Sequence, residues 1–144
     1  MQIRDVMTRD AQLINPDDTI QRAARLMAEG DCGVLPVADG DRLVGMLTDR
    51  DLAIRGLAEG KGPYAKVRDV MTPEVKYCFE DEDTEHVAEN MADLQVRRLP
   101  VMDRNKRLVG IVSLGDLARK EPHRAAVLAG IVQPSYRHNQ ITAD

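Results

Sequence analysis

The strongest constraint on this chain is that it repeats itself. Arg4-Asp5-Val6-Met7-Thr8 returns as Arg68-Asp69-Val70-Met71-Thr72, and Leu35-Pro36-Val37 returns as Leu99-Pro100-Val101. The run from Leu43 to Asp51 returns from Leu108 to Asp116. A long repeat in two copies predicts two small domains of one fold, packed about a pseudo-twofold axis. A ligand in a shared cleft would then meet two related half-sites. The expected division is 1–60 for the first domain, 61–122 for the second, and 123–144 for a short helix (Ala125 to Val132) and a polar tail.

Each copy alone is too short to build much of a core, so the 144 residues are expected to bury surface jointly. The core must be aliphatic, because the chain has no Trp, three Tyr and one Phe. A net charge of −4 excludes a basic field over the whole surface and argues against general nucleic-acid binding. No apolar run approaches the roughly 18 residues that suggest a membrane span. The N-terminus lacks a charged-then-apolar signal pattern, which predicts a cytoplasmic protein. Cys32 and Cys78 lack CxxC spacing and are read as two reduced thiols.

Within each copy the elements follow one order. A lead segment (Ile3 to Thr8, or Val67 to Thr72) precedes an extended piece at Gln12-Leu13-Ile14 or Val75-Lys76-Tyr77. A helix follows. In copy one Asp18 and Gln21 suggest a capping box, Ile20, Ala23, Ala24 and Met27 form the apolar stripe, and Gly30 stops the helix. In copy two Asp83 or Thr84 caps a helix with the stripe Val87, Met91 and Leu94. A hairpin turns through Asp39-Gly40-Asp41, or through the longer Asp103-Arg104-Asn105-Lys106. A second helix starts near Thr48 or Ser113 and carries Leu52, Ile54 and Leu57, or Leu117.

Chemistry concentrates where that hairpin meets the second helix. Gly45-Met46-Leu47-Thr48-Asp49-Arg50-Asp51 contains Thr48-x-x-Asp51, a helix-start box of hydroxyl and carboxylate, and Ser113-x-x-Asp116 repeats it. Such a box needs no ligand to explain it. The same junction also suits a nucleotide. A carboxylate accepts hydrogen bonds from ribose hydroxyls, a hydroxyl and a helix start suit phosphate, and the apolar pairs Met46-Leu47 and Ile111-Val112 suit a flat base.

Residues 1–122 resemble a tandem pair of CBS domains, also called a Bateman module. The likeness rests on the two lead segments ending Val-Met-Thr, the two Leu-Pro-Val strands, and the two Gly-apolar-apolar-Thr/Ser-x-x-Asp signatures. Met46 to Leu52 and Val96 to Val101 carry a closer similarity to small bacterial proteins made only of a CBS pair. The resemblance implies an α/β (α+β) fold of two β-α-β-β-α repeats and a disc-like homodimer. It implies adenosine ligands: AMP, ADP, ATP, S-adenosylmethionine or NAD. It implies that Asp51 and Asp116 hold ribose and that Thr48 and Ser113 contact ribose or phosphate. Gly45, Met46, Leu47, Gly110, Ile111 and Val112 would wall the base pocket. Val34, Leu35, Pro36, Leu99 and Pro100 would offer backbone edges to adenine, with Thr8 and Thr72 beside it.

The copies differ at one telling place. Arg97-Arg98 stand where copy one has Gly33-Val34, so only copy two carries a fixed double charge for a phosphate. Arg50 is a second phosphate candidate. His86, His123 and His138 have no metal-ligand spacing, no nucleophile-and-base set is present, and no cofactor is required. The expected function is a non-catalytic sensor of adenine nucleotides that passes its state to an effector protein. The alternative is a ligand-free dimerisation module in which both boxes are only caps.

Overall fold

The structure, a computed structural model, describes residues 1–73 and 75–120. The expected helix over Ala125 to Val132 and the tail lie outside these residues, as do His123 and His138. The chain forms two compact units, one built from Gln12–Val75 and the other from Met1–Ala11 with Lys76 onward. The units do not follow the order of the repeats along the chain. Each lead segment belongs to the unit of the other repeat, and the reason lies in the backbone pairing described below.

In the Gln12–Val75 unit, β1 (Val34–Asp39) runs antiparallel to β2 (Arg42–Thr48), with Leu35 opposite Leu47 and Pro36 opposite Met46. Ile14 adds a parallel bridge to Val37 on the outer side of β1. On the other side of β2, the Met46 N–H donates to Thr72 O at 2.9 Å and the Thr72 N–H donates to Met46 O at 2.8 Å. Because both polar groups of Met46 face Thr72, Pro36 opposite it sacrifices no ladder bond for its missing N–H.

Helix α1 (Ile20–Gly30) buries Ile20, Ala23 and Met27 as the stripe predicts, while Ala24 is exposed. Its cap is Thr19, not Asp18: Thr19 Oγ1 accepts the Arg22 N–H at 3.1 Å. The Asp18 carbonyl is engaged by the Val67 N–H at 2.8 Å, which holds Asp18 outside the helix. Gly30 is the last helical residue, and the left-handed exit is made by Asp31 with φ 49°. The second helix of copy one is not continuous. A single α-helical turn, α2 (Asp49–Asp51), runs into a π-helical turn at Leu52–Gly56 and a 3-10 turn at Leu57–Glu59. The wider turn swings the expected stripe off the core. Leu52 still packs on the core, whereas Ile54 is 50% exposed and Leu57 76%.

The second unit repeats the plan. The two-residue β3 (Cys78–Phe79) pairs parallel with β4 (Arg98–Met102), and β4 pairs antiparallel with β5 (Leu108–Ser113). The extended piece therefore starts a little later than Val75-Lys76-Tyr77. Beyond β5, the Thr8 N–H donates to Ile111 O at 2.9 Å and the Ile111 N–H donates to Thr8 O at 3.0 Å. Helix α3 (Thr84–Leu94) is capped by Asp83, which accepts the Glu85 N–H at 3.1 Å. It buries Val87, Ala88 and Met91, but its last residue Leu94 is exposed. Helix α4 (Leu114–Lys120) follows β5 directly. The longer turn is organised by Asp103, whose Oδ1 accepts the N–H groups of Asn105 and Arg107.

Each unit has its own aliphatic core. One gathers Ile14, Ala23, Leu35, Val37, Leu47, Val67 and Val70, and the other Ile3, Val87, Met91, Leu99, Val101, Val112 and Leu117. Ile3 and Val67, from the 3-10 turns Ile3–Asp5 and Val67–Asp69, are wholly buried in them.

The seating of the lead segments explains the signature glycines. A Cβ on Gly45 would lie 2.7 Å from Met71 Sδ and 2.9 Å from the Thr72 carbonyl oxygen. A Cβ on Gly110 would lie 2.7 Å from the Thr8 carbonyl oxygen and 3.0 Å from Met7 Sδ. Backbone blocks the way in both cases, so overpacking of about 1–3 kcal/mol is expected. Gly45→Ala should lower the melting temperature by several degrees or more, whereas Gly62→Ala, with nothing within 4 Å of the added carbon, should leave it unchanged or slightly raised. Paired thermal melts check this.

Candidate functional site

Both repeats end a buried strand on a hydroxyl and start a helix with a carboxylate three residues on. In the first, Thr48 is 2% exposed and Asp51 4%. Thr48 Oγ1 accepts the Asp51 N–H at 3.0 Å, and Asp51 Oδ2 accepts the Thr48 N–H at 3.0 Å. In the second, Ser113 Oγ accepts the Asp116 N–H and Asp116 Oδ2 accepts the Ser113 N–H, both at 3.0 Å. The sequence predicts these boxes, and both are complete. A further backbone bond pins each junction: the Asp49 N–H donates to Gly33 O, and the Leu114 N–H donates to Arg97 O, at 2.9 Å each.

The box uses one oxygen of each aspartate. The other, Oδ1, faces an arginine in each repeat, a residue to which the motif does not point. Arg55 Nε lies 3.8 Å from Asp51 Oδ1, and Arg55 Nη1 donates to the Met71 carbonyl at 3.1 Å. In the second repeat Arg119 donates directly to Asp116 Oδ1. The only sequence sign of these pairs is their i,i+4 and i,i+3 spacing. Burial pushes the Asp51 carboxyl above its ordinary range, opposed by the Thr48 hydrogen bond and the Arg55 charge.

The remaining expected residues divide by face. Leu47 and Val112 are fully buried and point into the aliphatic cores, with Leu35 and Leu99 beside them. Their side chains are structural; Met46 and Ile111 lie on the opposite strand face, Met46 buried and Ile111 half-buried. Gly45 and Gly110 are filled by the lead segments. Val34 is buried and stands opposite Thr48. Pro36 and Pro100 are buried opposite Met46 and Ile111, the residues that Thr72 and Thr8 bridge. Each threonine thus joins the signature of the other repeat. Arg50 is exposed on the first helical turn.

Arg98 opens β4 opposite Ser113, next to Arg97. Arg97 Nε is buried and has no hydrogen-bond partner, and among the described residues neither arginine has a carboxylate partner. An orphaned guanidinium nitrogen beside a second arginine suits an anion. Among the described residues no group of three or more His, Cys, Asp or Glu could hold a metal ion, and no helix is long and apolar enough to cross a membrane.

The CBS domain family model matches residues 3–56 and 67–123. The chain belongs to the CBS domain family. It is 40% identical to Hypoxic response protein 1 of Mycobacterium tuberculosis over 126 residues, 86% of this chain and 87% of that one. The crystal structure of Hypoxic Response Protein I with two coordinated zinc ions matches at TM-score 0.76 and 39% identity, over 85% of this chain and all of that one. CBSX2 in complex with AMP matches at TM-score 0.73 and 29% identity, over 82% of this chain and 93% of that one. The CBS domain pair of MJ0100, in complex with 5-methylthioadenosine and S-adenosyl-L-methionine, matches at TM-score 0.70 and 29% identity, over 83% and 94%. These neighbours bear out the CBS-pair resemblance and the α+β class.

Two outcomes follow from the site as it stands. Asp51→Asn keeps an acceptor for the Thr48 N–H and removes a buried charge, so at neutral pH it should melt at or above the wild type. Because the folded-state pKa is raised, the wild type should recover relative to Asp51→Asn as pH falls through that pKa toward 3.8, where folded chains take up the proton more readily than unfolded ones. Asp51→Ala leaves the Thr48 N–H buried and unpaired and should cost about 1–3 kcal/mol. Melts of the three proteins between pH 4 and 7 decide. Separately, burial pushes the Cys78 thiol to about 12, whereas Cys32 is half-buried. A thiol-reactive disulfide reagent at pH 8 should therefore label Cys32 and spare Cys78 in the folded protein.

Proposed function

We propose that this chain is a non-catalytic regulatory module that binds an adenosine compound, AMP first among AMP, ADP, ATP, NAD and S-adenosylmethionine. The observation that carries this reading is the pair of buried carboxylates, each with Oδ2 spent on its own helix cap and Oδ1 beside an arginine. A capping box is satisfied by a carboxylate or by a neutral amide. An anionic acceptor held in a buried site is what two ribose hydroxyls require. Adenosine compounds bound to CBSX2 and to the MJ0100 pair support the ligand class.

On this reading Asp51 and Asp116 accept from ribose hydroxyls. Met46 and Ile111 contact the base, flanked by Thr72 and Thr8, and the backbone of Val34, Leu35, Pro36, Leu99 and Pro100 offers its edges. Arg97 and Arg98 take phosphate, so a phosphorylated adenosine is preferred over a bare nucleoside. Arg50 is a secondary phosphate contact. Ligand shifts the protein toward whichever arrangement holds it more tightly. The module works in the cytoplasm as a homodimer, for which exposed Ile54 and Leu57 supply apolar surface, and signals to an effector protein.

A second reading has one observation in its favour. Both capping boxes are complete without any ligand, which is what a purely structural dimerisation module would show. Thermal shift separates the two. AMP at about a hundredfold over its dissociation constant stabilises by roughly 2.7 kcal/mol, a rise of several degrees for a chain of this size. The expected order is AMP above adenosine, with Arg97→Ala and Arg98→Ala erasing the difference. No shift with any of the five compounds returns the module to a scaffold.

A further inference from the structure

The two lead segments are seated by matching backbone bonds but fastened by different side chains. In the Gln12–Val75 unit, the Val67 and Arg68 N–H groups donate to the Asp18 and Pro16 carbonyls at 2.8 and 2.9 Å. In the other unit, the Ile3 and Arg4 N–H groups donate to the Glu82 and Glu80 carbonyls at 2.9 Å each. Two arginines then lock the second lead. Arg68 donates from Nε and Nη2 to Asp17 Oδ1 at 2.9 and 2.6 Å, and Arg55 Nη1 donates to the Met71 carbonyl at 3.1 Å. The first lead has neither lock. Asp81 follows Asp17 by the same 64 residues that separate Arg68 from Arg4, but it is taken by Arg104. Arg104 Nε donates to both Asp81 oxygens at 3.1 and 2.9 Å, and Nη2 donates to Oδ1 at 2.8 Å. The guanidinium lies 4.0 Å from the Phe79 ring centroid, and Tyr77 meets Phe79 edge-on at 5.5 Å. Copy one, with Asn15 for Phe79 and Gly40 in its turn, cannot build this clamp. Exposed Arg4 therefore acts on Asp81 only through space. Arg119 turns to Asp116, and among the described residues no side chain donates to the Met7 carbonyl. What remains to the first lead is its ammonium, 3.8 Å from Asp83 with both groups exposed.

We infer that Met1–Ala11 is a releasable strap over β5, and that the Arg104–Asp81 clamp keeps it releasable. Lifting the strap parts Thr8 from Ile111 and vacates the places of Ile3 and Val6 in the core. That uncovers the outer edge of β5 beside Gly110, where only backbone can approach. Such an edge accepts an extended segment as an added strand. The Val67–Thr72 segment stays shut under Arg68 and Arg55. Each exposed ion pair shifts a local opening equilibrium only a few-fold, yet that decides which of two similarly seated segments opens first. Arg104 is the control point. Its side chain is 63% exposed, so an anionic group can draw it off Asp81. Asp81 then passes to Arg4, and the strap closes as its counterpart does.

Amide hydrogen exchange of the full chain, followed residue by residue by NMR, tests the strap. In the wild type the Thr8 and Ile111 amides should exchange well ahead of Val112, which faces Leu99 across the inner edge of β5. Arg68→Gln should speed exchange at Met46 and Thr72 several-fold, whereas Arg4→Gln should leave Thr8 and Ile111 unchanged. Arg104→Ala should slow Thr8 and Ile111 several-fold, although it removes an ion pair, and adding Arg4→Gln should abolish that slowing. Exchange of Thr8 and Ile111 only in step with Val112 would show that the strap does not open by itself and would overturn the inference. So would an Arg4→Gln effect as large as that of Arg68→Gln, or no slowing in Arg104→Ala. All three substitutions alter surface side chains. Each rate for Thr8 and Ile111 is read against Val112 in the same protein, so a general loss of stability cancels.

Discussion

The contact on which both units depend is a peptide group laid against a glycine. Met46 and Ile111 give both their N–H and C=O to a lead-segment threonine. That approach exists only because Gly45 and Gly110 present no side chain to Met71-Thr72 and Met7-Thr8. Once the lead segment is seated, β2 and β5 are paired along both edges. Their ends cannot then shift, so Thr48 and Ser113 leave the strands in fixed directions. The Gly33 and Arg97 carbonyls hold the following residue from the other side. The carboxylate three residues on inherits that precision, which is what a ribose-binding group needs.

The same contact explains why the repeat in sequence and the unit in space do not coincide. A lead segment resembles its own repeat, yet the side chains that complete a core come from the other copy's lead. Ile3 is buried with Val87 and Val112, and Val67 with Leu35 and Leu47. No periodicity within a single repeat could reveal this, because the choice is made by pairing between residues far apart in the chain. Local features fared better. Thr48-x-x-Asp51 and Ser113-x-x-Asp116 were legible because a capping box closes within one turn. The α1 stripe was legible for the same reason. Its cap was not: Asp18 and Thr19 are both good caps, and the Val67 N–H decides between them from outside the helix. The second helix of copy one shows the limit of stripe reading. Ile54 and Leu57 continue an α-helical face that a π turn then rotates into solvent. Arg55 and Arg119 carry no comparable signal, since an arginine in a short helix reads as a solvated charge.

Asp51 poses an energetic conflict that the cap by itself does not resolve. A buried carboxylate with a raised pKa is less stable ionised in the folded protein than in the unfolded chain, so its charge opposes folding at neutral pH. Asn offers an acceptor to the Thr48 N–H without that charge. Places where a chain keeps a locally unfavourable group without evident structural return are where function is to be sought. Cys78 offers the contrast. It is buried and its thiol is driven to about 12, but its neutral form packs like any small apolar side chain and nothing in its surroundings asks for the charged state.

Divergence between the copies points the same way. Duplication alone would leave two equivalent junctions. Instead copy two replaces Gly33-Val34 with Arg97-Arg98 and leaves Arg97 Nε buried without a partner, while copy one acquires a π turn that draws Arg55 onto the Met71 carbonyl. The first change adds fixed positive charge where the box carboxylate is already paired. The second leaves the buried Asp51 carboxylate beside Arg55 without a direct hydrogen bond to it. A scaffold would gain nothing from pushing its two halves in opposite electrostatic directions, since each change leaves a polar group less satisfied than its counterpart. A carboxylate in one unit suits hydroxyl donors, and a guanidinium pair in the other suits an anion. The asymmetry is therefore better explained by what the protein binds than by what it needs to fold.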